Sequence, residues 1–463
     1  MGDARNSAMR RITYIALLLI VVASFQGCTY GDPGEQAAGA FYFPVSVAVH
    51  PFQSIPANIA AGQYQYAYVV SSNFDLGYNH GSVKVVDLAE LEREIALDQA
   101  GTGCGGGKKC ADGFFVATII ESSTIRIGSF GGVAIVTPDG QRLFVAQRQD
   151  EAVSYATLGD YGRTLDCGQN SKGGQFIGSC SPSNYTQTGG FDPFDLAWGP
   201  SIVNQRAGCE YVSHLRDSDI VCLWGDGSGL IAFLSLMSNP DNYSSVGFND
   251  ISYNPVTGLM AFSSKYTFGN YNVLMTGDAN KLLTIGSGAD QYLWYFDPSG
   301  VYDIEVDSII GTGEQKNVIQ SDDGSQVFLL TKGPDVILKM VRGWDQITGE
   351  PTFTIVDYVP VGIGSNRMFR LEVPGLGHRL IYVPCTFSDY VHVIDADSME
   401  EVALLEDPSL DGPYWVSFYL APGGWRVIVG NFESSQLSVY SVDPSTYVHT
   451  LLAVVGAPRQ GGF

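Results

Sequence analysis

Short apolar runs separated by turn residues dominate this chain. The clearest case is 131 to 157: Gly-Gly-Val-Ala-Ile-Val, a Thr-Pro-Asp-Gly-Gln turn, Arg-Leu-Phe-Val-Ala-Gln, a polar Arg-Gln-Asp-Glu break, then Ala-Val-Ser-Tyr-Ala-Thr. Pro138 pre-sets the φ of a tight turn and Gly140 supplies the φ > 0 position. The stretch therefore predicts a meander of short strands. The cadence returns in Trp415 to Leu420, Ala-Pro-Gly-Gly at 421 to 424, Trp425 to Gly430 and Leu437 to Val442.

The same reading divides 41 to 456 into seven units. The first holds strands at Val45 to Val49, Tyr66 to Val70, Ser82 to Asp87 and Phe114 to Ile120. The second is the stretch just quoted. The third is less regular, with Phe194 to Trp198, Cys209 to Val212, Ile220 to Leu223 and Leu230 to Leu236. The fourth takes Asn249 to Tyr253, Leu259 to Ser263, Val273 to Thr276 and Leu293 to Phe296, with an Asn254-Pro255 turn in place of Pro-Asp-Gly. The fifth has Lys316 to Gln320, Gln326 to Leu330, Val336 to Val341 and Phe353 to Tyr358. The sixth has Met368 to Val373, Arg379 to Val383, Tyr390 to Asp395 and Glu401 to Leu405. The seventh adds Val448 to Val455 to the runs at 415 to 442. Units of about 59 residues exceed the roughly 40–45 of a compact four-stranded blade. Insertions are therefore expected at 98 to 113, 159 to 190, 200 to 228 and 277 to 290.

Such units cannot bury their own faces and must stack on one another. Pro138 to Ala146 and Val391-His-Val-Ile-Asp-Ala-Asp-Ser398 resemble the YVTN-type β-propeller repeat, in which a turn precedes a Leu-Tyr-Val strand and a Val-x-Val-Ile-Asp strand leads into the outermost one. The resemblance covers most of 41 to 456 and implies an all-β fold, a propeller of seven four-stranded blades with loop insertions. A two-sheet β-sandwich is the alternative. The first and last units each supply four strands, which argues against a shared closing blade. Composition agrees with strands and turns: 55 Gly, 24 Phe, 25 Tyr and 16% charged residues.

Ahead of the repeats, Arg10 and Arg11 precede an apolar run from Ile12 to Ala23 and then Ser-Phe-Gln-Gly-Cys28. A dozen apolar residues are too few to span roughly 30 Å of hydrocarbon, and the order is that of an export signal. Gly27-Cys28 is similar to the lipobox of bacterial lipoproteins, although Phe25 and Gln26 depart from it. That similarity implies cleavage after 27, acylation of Cys28 with palmitate-type chains, a tether over 28 to 40 and a single propeller domain over 41 to 463. Thr29, by resemblance to lipoprotein sorting, implies the outer membrane. An ordinary signal peptide is the alternative.

Loss of 1 to 27 leaves 22 basic residues against 47 acidic, a net −25 where the whole chain has −23. This surface repels phosphates and excludes a nucleic-acid role. In an exported chain the default for cysteine is the disulfide. Neighbour pairing predicts Cys104 with Cys110, Cys167 with Cys180 and Cys209 with Cys222. Cys385 is left as a buried free thiol.

No catalytic motif is present: there is no Gly-x-Ser-x-Gly elbow, no Walker loop at Gly103 to Lys108, and no Cys-x-x-Cys-His for haem. The six histidines are not at metal-ligand spacing. His392 and His449 read as structural, and His50 and His80 as candidates for the channel or rim. Asp226-Gly-Ser-Gly, Asp322-Asp323 and Asp395-Ala-Asp397 read as Asx turns, with Ca²⁺ the alternative. No metal or cofactor is expected. Aromatics at Tyr64 to Tyr68, Tyr292 to Tyr295 and Tyr414-Trp415 are mostly core by position, with recognition as their alternative role. The leading expectation is an envelope-anchored propeller that binds or scaffolds a protein or glycan. The alternative is an envelope hydrolase or lactonase with its site at the channel.

Overall fold

The computed structural model describes residues 36–51, 65–100, 115, 118–136, 140–150 and 152–168, and most of 314–459. Between 169 and 313 it describes Cys180 and the backbones of the strands named below. The expectations at Cys28, Cys104, Cys110, Cys209, Cys222, His214, His378, Pro138-Asp139, Asp226 and Asp322-Asp323 lie outside the described residues.

The chain is a β-propeller. Its first sheet is β1 (Pro44–Val49), β2 (Tyr66–Ser71), β3 (Gly81–Asp87) and β4 (Ile119–Ile127), with α1 (Leu88–Gln99) between β3 and β4. The second is β5 (Gly131–Val136), β6 (Arg142–Gln147) and β7 (Ala152–Gly159), flanked by β8 (Thr164–Asp166). β9 (Ser171–Lys172) and β10 (Gln175–Phe176) form a ribbon, and β11 (Tyr185–Gln187) pairs with β7. The third sheet is β12 (Ala197–Trp198), β13 (Gly229–Leu234), β14 (Val246–Asn254), β15 (Leu259–Phe262) and β16 (Tyr266–Phe268).

Four sheets of four strands follow: β17 (Asn272–Thr276), β18 (Leu283–Ser287), β19 (Tyr292–Asp297), β20 (Gly300–Glu305); then β21 (Glu314–Gln320), β22 (Gln326–Lys332), β23 (Val336–Trp344), β24 (Pro351–Pro360). The next are β25 (Phe369–Glu372), β26 (Arg379–Cys385), β27 (Tyr390–Asp395), β28 (Glu400–Glu406), and finally β29 (Pro413–Ala421), β30 (Gly424–Asn431), β31 (Gln436–Asp443), β32 (Val448–Val455). Every pairing is antiparallel between neighbours in sequence, apart from the added strands β11 and β16.

Burial explains why the sandwich alternative fails. A two-layer sandwich covers one face of each sheet, so its strands alternate between buried and exposed. Here β2 is buried at all six positions and β26 at six of seven, whereas outer β28 is largely exposed. Both faces of the middle strands must therefore be covered by neighbouring sheets. The core follows suit: one cluster joins Phe328 and Leu330 to Ile381 and Val383, the next joins Tyr382 and Val393 to Val427 and Val429, and a third joins Ile428 and Val439 to Val47 and Val69. First strands meet at the centre, β1 touching both β5 and β29.

The last sheet thus packs on the first, and each is made from its own contiguous stretch, as the repeat pattern implies. Closure relies on links between them. Ala40 bridges Ala457 and Phe115 bridges Val455 in parallel, and the Trp415 Nε1–H donates to the Val47 carbonyl at 3.0 Å. Arg426 on β30 grips Glu92 of α1 through Nε at 2.9 Å and Nη2 at 2.8 Å.

Several boundaries need correcting. The fourth strand of the first sheet is Ile119–Ile127, displaced from Phe114 to Ile120, because a helix occupies the segment after β3. That helix is capped by Asp87, whose carboxylate accepts the Glu90 N–H at 3.0 Å, and it buries Leu88, Leu91 and Ile95. The runs at 249 to 263 belong with Leu230 in the third sheet, and Val273 and Leu293 begin a sheet of their own. The expected insertion at 277 to 290 contains β18, and 159 to 190 contains β8 to β11.

Cys167 and Cys180 are joined by a disulfide across 13 residues. Cys167 packs with Leu158 and Leu165, and the Cys180 N–H donates to the Arg126 carbonyl, so the bridge holds the segment after β8 against β4. Replacing both cysteines by serine is expected to lower stability by about 2–3 kcal/mol, chiefly by freeing the unfolded loop. Denaturant unfolding of the variant and the parent, each without reductant, checks it.

Candidate functional site at the channel mouth

Strand direction sorts the turns by face. First strands run from one face of the ring to the other, so their starts share a face with the turns between second and third strands. On that face, about the ring centre, a cavity of about 260 Å³ opens. Val45, Gly131 and Tyr414 contribute from starts of inner strands. Phe74, Arg148, Phe387 and Phe432 come from turns after β2, β6, β26 and β30, and Asn366 with Arg367 from the link into β25.

The residues at this mouth are held firmly. Phe432 stacks with Phe43 at 4.7 Å, with Phe74 at 5.4 Å and with Tyr414 at 5.6 Å, while Phe74 meets Phe130 edge-on at 5.7 Å. Phe43 (φ 52°) and Phe130 (φ 56°) each directly precede an inner strand in the left-handed region, where bulky residues are uncommon. Asn73 anchors the turn that carries Phe74: its amide donates to the Tyr78 carbonyl at 2.8 Å and to Ser129 Oγ at 3.0 Å. Arg367 is 7% exposed, with its guanidinium 5.1 Å from the Trp415 ring. Phe387 remains 73% exposed and Phe74 51%. Among the described residues the mouth therefore combines fixed aromatic walls with Arg148, Arg367 and one acid, exposed Glu433, at its rim.

The residues singled out from sequence are dispersed. His50 is buried between the first two sheets with Nε2 3.1 Å from the Gly140 carbonyl. It packs on Gly162, whose φ of 99° and close approach to the imidazole leave no room for a side chain. His80 Nδ1 contacts the Gly81 carbonyl at 2.8 Å, and His392 Nδ1 contacts Glu401. Asp395 is an Asx cap: one oxygen accepts the N–H groups of Asp397 and Ser398, the other the Tyr447 hydroxyl, and Arg379 pairs with Asp397. Among the described residues no group of three His, Cys, Asp or Glu is placed to hold a metal ion. Cys385 is buried and free, and burial pushes its thiol up to about 12. Tyr66 and Tyr68 are core, Trp415 belongs to the closure seam, and Tyr414 reaches the mouth.

His449 illustrates a structural histidine. Its Nδ1–H donates to the Tyr447 carbonyl at 2.9 Å and Nε2 accepts the Tyr382 hydroxyl at 2.9 Å, which fixes the neutral tautomer. Burial lowers its pKa below the usual histidine value. The unfolded chain then binds a proton that the folded chain refuses, so stability is full above the unfolded pKa of about 6.5 and declines as pH falls through it. His449→Gln is expected to flatten the dependence of Tm on pH between about 5 and 7, measured by scanning calorimetry.

No family model and no curated protein matches this sequence. Solved structures similar to it include hydrazine synthase of Kuenenia stuttgartiensis, at 13% identity and a TM-score of 0.47 over 89% of this chain and 99% of that one. Another is the periplasmic gluconolactonase PpgL of Pseudomonas aeruginosa, at 14% identity and 0.45 over 85% and 98%. The Cps50 (Swd1) β-propeller domain of Myceliophteria thermophila shows 8% identity and 0.45 over 88% and 98%. Chains this divergent share no site with this one by identity alone, and function has to be read from its own residues.

Proposed function

We propose that this protein is a binding propeller of the bacterial cell envelope, held to the outer membrane by lipid on Cys28, that takes a protein partner at the mouth of its channel. The observation carrying this reading is the mouth itself. Two exposed phenylalanines stand over a pit walled by apolar side chains and carrying arginines, in the pattern of a recognition surface. A hydrolase needs an acid, base or metal poised over the substrate, and among the described lining residues the mouth offers one exposed glutamate.

Gln36, Ala37 and Ala40 are docked on the folded body, so a tether from Cys28 would end ahead of them. Ser82 Oγ donates to Gln36 at 2.6 Å and buried Lys84 donates to the Ala37 carbonyl at 3.0 Å, so the segment leading back toward Cys28 leaves from the β2–β3 side of the first sheet. Eight residues from Cys28 to Gln36 reach at most about 29 Å, so the mouth side stays close to the bilayer.

Two experiments test the reading. Mass spectrometry of the mature N-terminus is expected to find acylated Cys28; an unmodified N-terminus elsewhere contradicts the anchor. Cross-linking and affinity purification of the membrane-held protein is expected to recover a partner that Phe74→Ala with Phe387→Ala releases. A partner retained by this variant removes the mouth from the account.

A further inference from the structure

We infer that the mouth receives the C-terminal residue of a protein partner, an apolar side chain with its free carboxylate. This deepens the reading of the mouth as a binding site and rests on it.

Wall chemistry selects the side chain. Val45, Val133, Phe74, Phe387 and Phe432 supply the apolar part of a lining that also includes Ser72, Asn366 and Thr386. An apolar side chain gains from burial against the phenylalanine and valine walls, over which a sugar's hydroxyls would give up water. Size limits the ligand: about 260 Å³ lies below the roughly 300–1,000 Å³ of sites for drug-sized molecules and suits one residue.

Charge selects the carboxylate. The chain carries 48 acidic residues against 25 basic, yet among the described residues two arginines and one glutamate line this cavity. Arg367 is fixed against Trp415 and buried, so its planar fork is ordered before any ligand arrives. The acidic body repels polyanions at long range, while a single terminal carboxylate brings one charge to one locally basic place. Topology favours a chain end as well. A pit at the centre of a ring admits an end directly, but a mid-chain segment would have to bend in and out between Phe74 and Phe387.

The test uses the full chain with N-acetyl-phenylalanine and N-acetyl-leucine, their primary amides, and glucuronate, by calorimetry and ligand-observed NMR. The acids are expected to bind about tenfold or more tightly than the amides. Arg148→Gln, which leaves Arg367 in place, is expected to weaken acid binding several-fold and leave the amides unchanged, with Arg148→Lys intermediate. Unchanged thermal unfolding of both variants confirms that the fold survives. Equal binding of acid and amide overturns the inference, as does glucuronate binding in place of the apolar acids. Should no small probe bind while Phe74→Ala with Phe387→Ala still releases the cross-linked partner, the ligand class is wrong and the mouth stands as a binding site. If that release also fails, both readings fall.

Discussion

Replacing Arg426 by alanine is expected to destabilise the protein by about 3–5 kcal/mol. The guanidinium is 8% exposed and Glu92 17%, and the two meet in a bidentate pair to which the Tyr419 hydroxyl adds a third bond at 2.7 Å. Removing one partner leaves a buried charge without its counter-ion. It also strips donors from the carbonyls of Gly423, Gly424 and Trp425, each 3.4 Å from Nη1. The pair joins helix α1 of the first sheet to β30 of the last, so its loss weakens the closure of the ring. Arg426→Met with Glu92→Leu is expected to recover part of the loss, because an apolar pair needs no desolvation of charge. Urea unfolding of the single and double variants measures both. A loss under about 1 kcal/mol for Arg426→Ala, the size of an exposed pair, would mean that the helix is not docked there.

Trp415→Ala is expected to cost a similar amount, about 3–5 kcal/mol, by a different route. The indole is 8% exposed in the seam between the last and first sheets, packs on Phe369 at 4.8 Å, lies under Arg367 and donates to the Val47 carbonyl. Alanine leaves a cavity, loses the cation–π contact and loses one of two donors to that carbonyl, the other being Ser417 Oγ. Trp415→Phe keeps a ring in place and is expected to cost about 1–3 kcal/mol, mostly from the indole N–H. The difference between the variants, read from the same unfolding curves, separates packing from hydrogen bonding.

Strands were legible where burial makes them uniform. Ile381 to Val383 and Val427 to Val429 are covered on both faces and read as unbroken apolar runs. Strand β4 was misplaced because Glu121-Ser-Ser-Thr interrupts it with polar residues, two of them exposed, ahead of buried Ile125 and Ile127. Helix α1 carried a readable signal that the strand cadence obscured: Asp87 before the first turn, with Leu88, Leu91 and Ile95 on one face. Between Leu230 and Leu293 the apolar runs are alike, and grouping them by turn spacing slipped the sheets by half a unit.

The mouth was legible only at Tyr414, whose sequence position allowed a recognition role. Phe74, Arg148, Arg367, Phe387 and Phe432 lie on separate segments spread over more than three hundred residues, and none belongs to a motif. The available signal was positional: turns after the second strand of each unit share a face, and function on a rigid scaffold concentrates in such turns. The Tyr64 to Tyr68 stretch is dense in tyrosine, yet Tyr66 and Tyr68 are core.

On the proposed function, the partner is held at this mouth rather than elsewhere on the ring. Phe387 there and Leu420, 48% exposed toward the opposite end of inner strand β29, offer a direct comparison. A photo-reactive phenylalanine analogue placed at each position in the membrane-held protein is expected to yield a defined conjugate from position 387 and none from 420. Conjugates of equal yield from both positions, or from 420 alone, would contradict the account.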